Sequence, residues 1–131
     1  MENRYLCRGK RIDNGEWVEG YLSYPFCTEK GNESYYFYAE DSLGSYCRCV
    51  VDAATICQCT AMPDKNKKLV FEHDIVWDSD ERKFLKIIWN QEDMCWNIED
   101  ADGYKCAFEV CYGDAIEVNG NIFDNPELLE V

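Results

Sequence analysis

The sequence predicts a mainly β protein, and three observations carry that reading. Short runs rich in β-branched and aromatic residues recur along the chain, each too short for a typical helix. Turn-forming Asn, Asp and Gly separate them at short, even intervals. No segment shows a convincing 3.6-residue period, and neither a low-complexity linker nor an internal repeat interrupts the pattern. Many short strands at even spacing suggest a small barrel or a sandwich.

The elements follow in order. Arg11 to Leu22 holds Asn14-Gly15 between two part-apolar runs, which reads as a β-hairpin because Asn and Gly reach positive φ at least cost. Ser34-Tyr35-Tyr36-Phe37-Tyr38 is an aromatic strand with both faces partly covered. Tyr46 to Val51 and Thr55 to Cys59 are two more strands, joined by only Asp52-Ala53-Ala54 and therefore expected to be neighbours. Ile75-Val76-Trp77, Phe84 to Trp89 and Cys95 to Ile98 continue the series, with a turn at Asp100-Ala101-Asp102-Gly103. Ala115 to Phe123 is the last strand, bent at Gly120, where no Cβ blocks a bulge. Asn125-Pro126-Glu127-Leu128-Leu129 then fits a short helical turn, with Asn125 as N-cap and Pro126 at the first position.

Between Thr60 and Trp77 a charged stretch, Asp64-Lys65-Asn66-Lys67-Lys68, stands directly before an apolar run. The reading is structural: Asp64 and Asn66 are turn formers that hydrogen-bond nearby backbone, and Leu69, Phe71, Ile75 and Val76 return the chain to the core. Asp74 is expected to accept a backbone N–H in the turn that leads into the next strand.

Hydrophobic residues are 47% and aromatic residues 15% of the 131, well above what a disordered chain carries, so the chain folds despite its acidity. The net charge is −13. It is uneven: residues 1–59 hold six basic and nine acidic side chains, residues 60–131 seven and seventeen. From Ile87 onward Lys105 is the only basic residue among eleven carboxylates, so direct DNA or RNA binding there is opposed by like charge. Met1 to Arg8 has no apolar signal core and no run approaches a membrane span, which leads to the expectation of a cytoplasmic protein that binds no membrane. Nine cysteines cannot all pair internally, and a reducing compartment keeps them as thiols.

The sharpest chemical feature is Cys47-x-Cys49 with Cys57-x-Cys59. Four thiols on two short strands invite a zinc site. Strand geometry opposes it, because residues i and i+2 lie about 6.5–7 Å apart, whereas thiolates sharing one zinc at about 2.3 Å per bond converge to less than about 4 Å. Small buried hydrophobes are the alternative, and a cross-strand disulfide is a third. Cys95, Cys106 and Cys111 have no partnering spacing, and Cys7 and Cys27 stand apart from the others. Hence no metal ligand and no cofactor residue is assigned.

His73, between Glu72 and Asp74, is the single histidine and reads as a solvent-exposed turn residue. A Cys–His pair with Cys59, or a base acting on Thr60, has no sequence rule to assemble it. Glu92-Asp93 and Glu99-Asp100-x-Asp102 offer carboxylates for acid–base work or Ca²⁺, but without the rest of an EF-hand pattern they read as solvated turns. Phosphate-binding, dinucleotide and nucleophile-elbow motifs are absent from the sequence. Trp17, Trp77, Trp89 and Trp96 read as core or strand-face aromatics, since a stacking platform for single strands wants basic residues between them. No catalytic residue is assigned, and the chain is expected not to be an enzyme.

Three stretches together resemble the YopX-like family of small phage and prophage proteins. They are Arg8-Gly9-Lys10-Arg11 through Gly15 to Tyr21; Asp64-Lys65-Asn66 with Asp74-Ile75-Val76; and Gly120-Asn121-Ile122-Phe123 through Leu129. The resemblance implies an SH3-like small barrel over residues 60–131, with an additional β-rich part over 1–59, as one compact unit or two. It implies glycine at three positions that here hold Ala61, Lys67 and His73. These replacements leave the local turn geometry open, because a residue with a Cβ sits at positive φ only at a cost. It brings over no catalytic residues. The functional expectation is a self-associating, non-enzymatic protein–protein interaction module of a phage or prophage, in a bacterial or phage-infected cytoplasm. One alternative is an acidic mimic of nucleic acid that occupies a host protein's basic groove. The other is a cysteine-based metal protein.

Overall fold

In the computed structural model, residues 5–23, 26–27, 33–40, 43–109 and 113–130 are described. Cys111 and the side chain of Cys27 lie outside the described residues. The chain is mainly β, in antiparallel sheets, and divides into two compact units, Met1–Cys59 and Thr60–Val131.

The first unit holds β1 (Leu6–Lys10), β2 (Trp17–Leu22), β3 (Phe26–Cys27), β4 (Glu33–Glu40) and β5 (Tyr46–Val51), and β6 (Cys57–Pro63) starts in it. A hairpin forms about Asn14-Gly15 as expected, but its first strand is Leu6–Lys10, with Lys10 opposite Trp17, and Ile12, expected in that strand, lies exposed in the turn. Gly15 at φ 72° turns the chain, and Arg11 N–H donates to the Glu16 carbonyl at 2.9 Å. The order is β3-β4-β2-β1-β6, with β5 on the free side of β4. The expectation that Tyr46–Val51 and Thr55–Cys59 are neighbours is therefore wrong: β5 pairs with β4, and β6 pairs with β1. Ala53–Thr55 is a 3-10 turn, so Thr55 belongs to the connection and not to the following strand, and with Asp52 capping it at Ala54 N–H the chain is re-aimed between the two strands. An Arg11–Val51 bridge brings the ends of β1 and β5 together. Phe37, Ala39, Cys49 and Val51 fill the buried side of this sheet. Gly20 is required there, since a Cβ would stand 2.5 Å from the Tyr38 carbonyl oxygen.

In the second unit the end of β6 leads to β7 (Leu69–Phe71), β8 (Asp74–Asp78), β9 (Lys83–Asn90), β10 (Cys95–Glu99), β11 (Lys105–Ala107) and β12 (Ile116–Asn121). β8 to β11 form a meander, and β12 returns to the open side of β8, giving the order β11-β10-β9-β8-β12. No closed barrel forms among the described residues: the sheet ends at β11, only three residues long, and at β12. Val70, Val76, Leu85, Ile87, Ile98, Phe108 and Ile116 form the core. Each such side chain contributes about 1.5–3 kcal/mol when fully buried. The bend at Gly120 is present as a register shift between Val118 and Gly120, and the Asn125 side chain packs where a Cβ would stand. Pro126–Leu129 is a 3-10 turn, but Asn125 does not cap it. Its Oδ1 accepts from Asn121 N–H at 3.3 Å instead.

Among the described residues, seven turns share one device: an Asp or Asn side-chain oxygen accepts the N–H two residues ahead. Asn14, Asp52, Asp64, Asp78, Asn90, Asp100 and Asn121 do this at 2.8–3.0 Å. The oxygen replaces a backbone carbonyl and lets the chain reverse without an orphaned donor. Asp74 acts similarly in the other direction, accepting Phe71 N–H at 2.8 Å as expected.

Ala61, Lys67 and His73 adopt φ 65°, 65° and 67°. The turns implied by glycine are thus kept by residues that carry a Cβ. Surrounding bonds fix them. His73 N–H donates to the Ile87 carbonyl at 2.8 Å, and the His73 carbonyl accepts from Ile122 N–H at 3.0 Å. Among the described residues no helix is long and apolar enough to cross a membrane.

Candidate protein-docking face

Strand alternation sorts the first unit's side chains onto two faces. Phe37 and Ala39 point to the buried side, so Tyr36, Tyr38 and Glu40 point to the other. Register carries this across the sheet: Tyr38 is opposite Tyr21 on β2 and Arg48 on β5, and Glu40 is opposite Tyr46. Tyr38 is 47% and Tyr46 66% exposed. The Arg48 guanidinium lies 4.9 Å from the centre of the Tyr36 ring. On the same face Trp17 meets Arg8 at 4.9 Å and Lys10 at 5.4 Å, both from β1. These are cation–π distances.

This face was not legible in the sequence. Arg8 and Lys10 lie nine and seven residues from Trp17, and Arg48 twelve from Tyr36; cross-strand register brings them together. The expected shortage of basic residues near the tryptophans fails at Trp17, and Trp77 shares a cleft with Arg82 and Lys83. Trp77 also packs edge-on against Phe84 at 4.8 Å, and Trp89 against Trp96 at 5.1 Å.

The candidate chemistry residues make the following contacts. Thr60 Oγ1 gives its one proton to the Val70 carbonyl at 2.7 Å, and Cys59 is buried on β6. His73 is half-buried, not solvent-exposed, with its ring edge on Phe123 at 5.8 Å and Nε2 3.8 Å from Glu72. Asp100 accepts from Tyr104 N–H at 2.9 Å, Asp102 N–H at 3.0 Å and Lys83 Nζ at 3.1 Å. The Tyr104 N–H, then Lys83 and the Asp102 N–H, hold its carboxyl below the usual range. It lines a cleft of about 480 Å³ with Trp77, Phe84 and Leu129, in which Lys83 is its partner and Arg82 and Asp102 also stand. Glu92 and Asp93 lie in a turn held by Asn90 Oδ1.

Charge in the second unit is likewise partly consumed. Asp64, Asp74 and Asp78 are buried, and Glu99, Asp100 and Glu117 pair with Lys86, Lys83 and Lys65.

Cys47 and Cys49 depart from expectation. Their sulfurs are 3.7 Å apart, so the Cα spacing along a strand did not limit them. Burial pushes the Cys49 thiol up. Cys57 Sγ donates to the Thr55 carbonyl at 3.3 Å, on a strand that does not pair with β5.

A family model described as YopX protein matches residues 8–130. The chain belongs to the YopX family. The match spans both units and every strand but the first residues of β1. No curated protein matches the chain. The three stretches that carry the YopX resemblance cover most of β2, parts of β1 and β8 and the turns beside them; Arg8, Lys10, Trp17 and Tyr21 lie within them, and Tyr38, Tyr46 and Arg48 outside.

Proposed function

We propose that this YopX-family chain is a non-enzymatic protein–protein interaction module of a phage or prophage, acting in the cytoplasm of the bacterial or infected cell. It docks on a protein partner through the outer face of β2, β4 and β5, and self-associates. One observation carries the reading: exposed Tyr38 and Tyr46 share a face with Arg48, which is braced over Tyr36 at 4.9 Å. Tyr, Trp and Arg are the residues that dominate binding hot spots, because rigid rings bury large area at little entropic cost. The meander of the second unit, with a returning last strand, supports an SH3-like reading of that unit in an open form.

The test is capture from a host lysate by the wild-type chain and by a Tyr38→Ala/Tyr46→Ala/Arg48→Ala variant, beside light scattering on both. A partner retained by the wild type and lost by the variant, at a bound fraction that changes little with salt, supports the reading. Equal capture by both, or turnover in a substrate screen, overturns it. Binding that collapses with ionic strength points to acidic mimicry instead.

A further inference from the structure

The Cys47 and Cys49 side chains leave the same side of β5, opposite Ala39 and Phe37. Cys47 is exposed and Cys49 buried, so the pair runs from solvent into the unit's interior. Their sulfur separation of 3.7 Å can be compared with two possible uses. Two thiolates on a tetrahedral ion, with metal–sulfur bonds of about 2.3 Å, stand about 3.8 Å apart. The pair already has that bite. A disulfide instead needs its sulfurs within about 2.05 Å of each other and its Cα atoms within about 6.8 Å. Neighbours i and i+2 of a strand straddle that limit, at about 6.5–7 Å, well above the usual disulfide separation of about 5.5–6 Å. Closing a disulfide therefore contracts β5 within its six-residue ladder to β4, from Tyr35↔Val51 to Glu40↔Tyr46.

Charge also bears on the pair. Arg11, which favours a thiolate at Cys49, is paired with Asp13 at 2.7 Å, and burial holds the Cys49 thiol up, so the metal has to displace that proton. Among the described residues no group of three His, Cys, Asp or Glu is arranged around an ion. The protein thus supplies two ligands and leaves the solvent side open, unlike the closed four-ligand sites that stabilise zinc folds.

We propose that Cys47 and Cys49 form an open two-thiolate chelate for a soft d¹⁰ divalent cation of the zinc class. On binding, each thiol gives up its proton to solvent and two metal–sulfur bonds form, so one divalent ion replaces two protons and no electron is transferred. Water or an external thiol completes the coordination.

Cd²⁺ titration of the full chain tests this, read by the thiolate-to-metal charge-transfer band in the ultraviolet. The expected result is a saturable band that is lost in Cys47→Ser and Cys49→Ser and kept in Cys95→Ser. Because Cys49 is buried and its variant can fail to fold, a second measurement uses the wild type alone. Bound Cd²⁺ should slow alkylation of exposed Cys47 at least tenfold, read by peptide mass spectrometry. A band that persists in Cys47→Ser, or Cys47 alkylation indifferent to Cd²⁺, overturns the proposal.

Discussion

The Asp64 carboxylate accepts the Val118 N–H at 3.0 Å across 54 residues of sequence, tying the turn before β7 to β12. Its other oxygen accepts the N–H groups of Asn66 at 2.8 Å and Lys68 at 2.9 Å, and the side chain is buried. Removing it strands three donors at once. Asp64→Ala should cost about 3 kcal/mol, since each bond to a charged acceptor contributes about 1.5–3 kcal/mol and relaxation recovers part. Asp64→Asn, which keeps one acceptor oxygen, should lose less. Urea unfolding measures both, and a loss under about 0.5 kcal/mol for the alanine variant would remove Asp64 from the role assigned here.

Lys67 sits at φ 65° and is exposed, so its side chain adds little while its Cβ strains the backbone. The left-handed conformation costs about 1–2 kcal/mol for an L-residue. Glycine's extra unfolded-state entropy takes back about 0.5–1 kcal/mol. Lys67→Gly should therefore stabilise by about 0.5–1 kcal/mol, with a raised midpoint in denaturant at unchanged slope. Gly103→Ala, at φ 87°, should move the midpoint down.

Asp100 gives a pH signature. Its carboxyl is held below the ordinary value by the backbone donors and Lys83, so the folded state releases the proton more readily than the unfolded one. That contribution is complete above the unfolded carboxylate value of about 3.9 and fades as pH falls below it through the lower folded value. Thermal midpoints should decline below about pH 4, and less steeply in Asp100→Asn, which keeps an oxygen for Tyr104 N–H. A parallel decline in both proteins would assign the acid sensitivity to other groups.

Phe37 and Tyr38 are adjacent in β4 but face opposite ways, at 0% and 47% exposure. Phe37→Ala should cost about 3–5 kcal/mol through the cavity it opens. Tyr38→Ala should change stability by less than about 1 kcal/mol, as surface substitutions do. Paired melts of the two variants check the face assignment before any binding experiment is interpreted.

What could be read from the residues was the local chemistry of reversal. Asn14-Gly15, Asp64 to Asn66, Asp74 and Asp100 to Gly103 each carry their turn in their own side chains, and the bulge at Gly120 needed only a missing Cβ. Strand order was not readable: β5 pairs with β4, and whether it meets β6 is decided by partners far away in sequence. Asn125 misled as a cap because its oxygen is engaged by Asn121. β11 escaped notice, being three residues with only Cys106 partly covered. The docking face and the sulfur approach both depend on register and rotamer, which no spacing rule contains.

β12 also shields its neighbour. β8 is Asp74-Ile75-Val76-Trp77-Asp78, an apolar centre with β partners on both sides, and without β12 one whole row of its backbone donors and acceptors would face outward. Such a naked apolar strand recruits copies of itself. A chain cut before Ile116 would lose that cover, the Asp64–Val118 bond and the core side chain of Ile116, and its fate should be fibrils or precipitate.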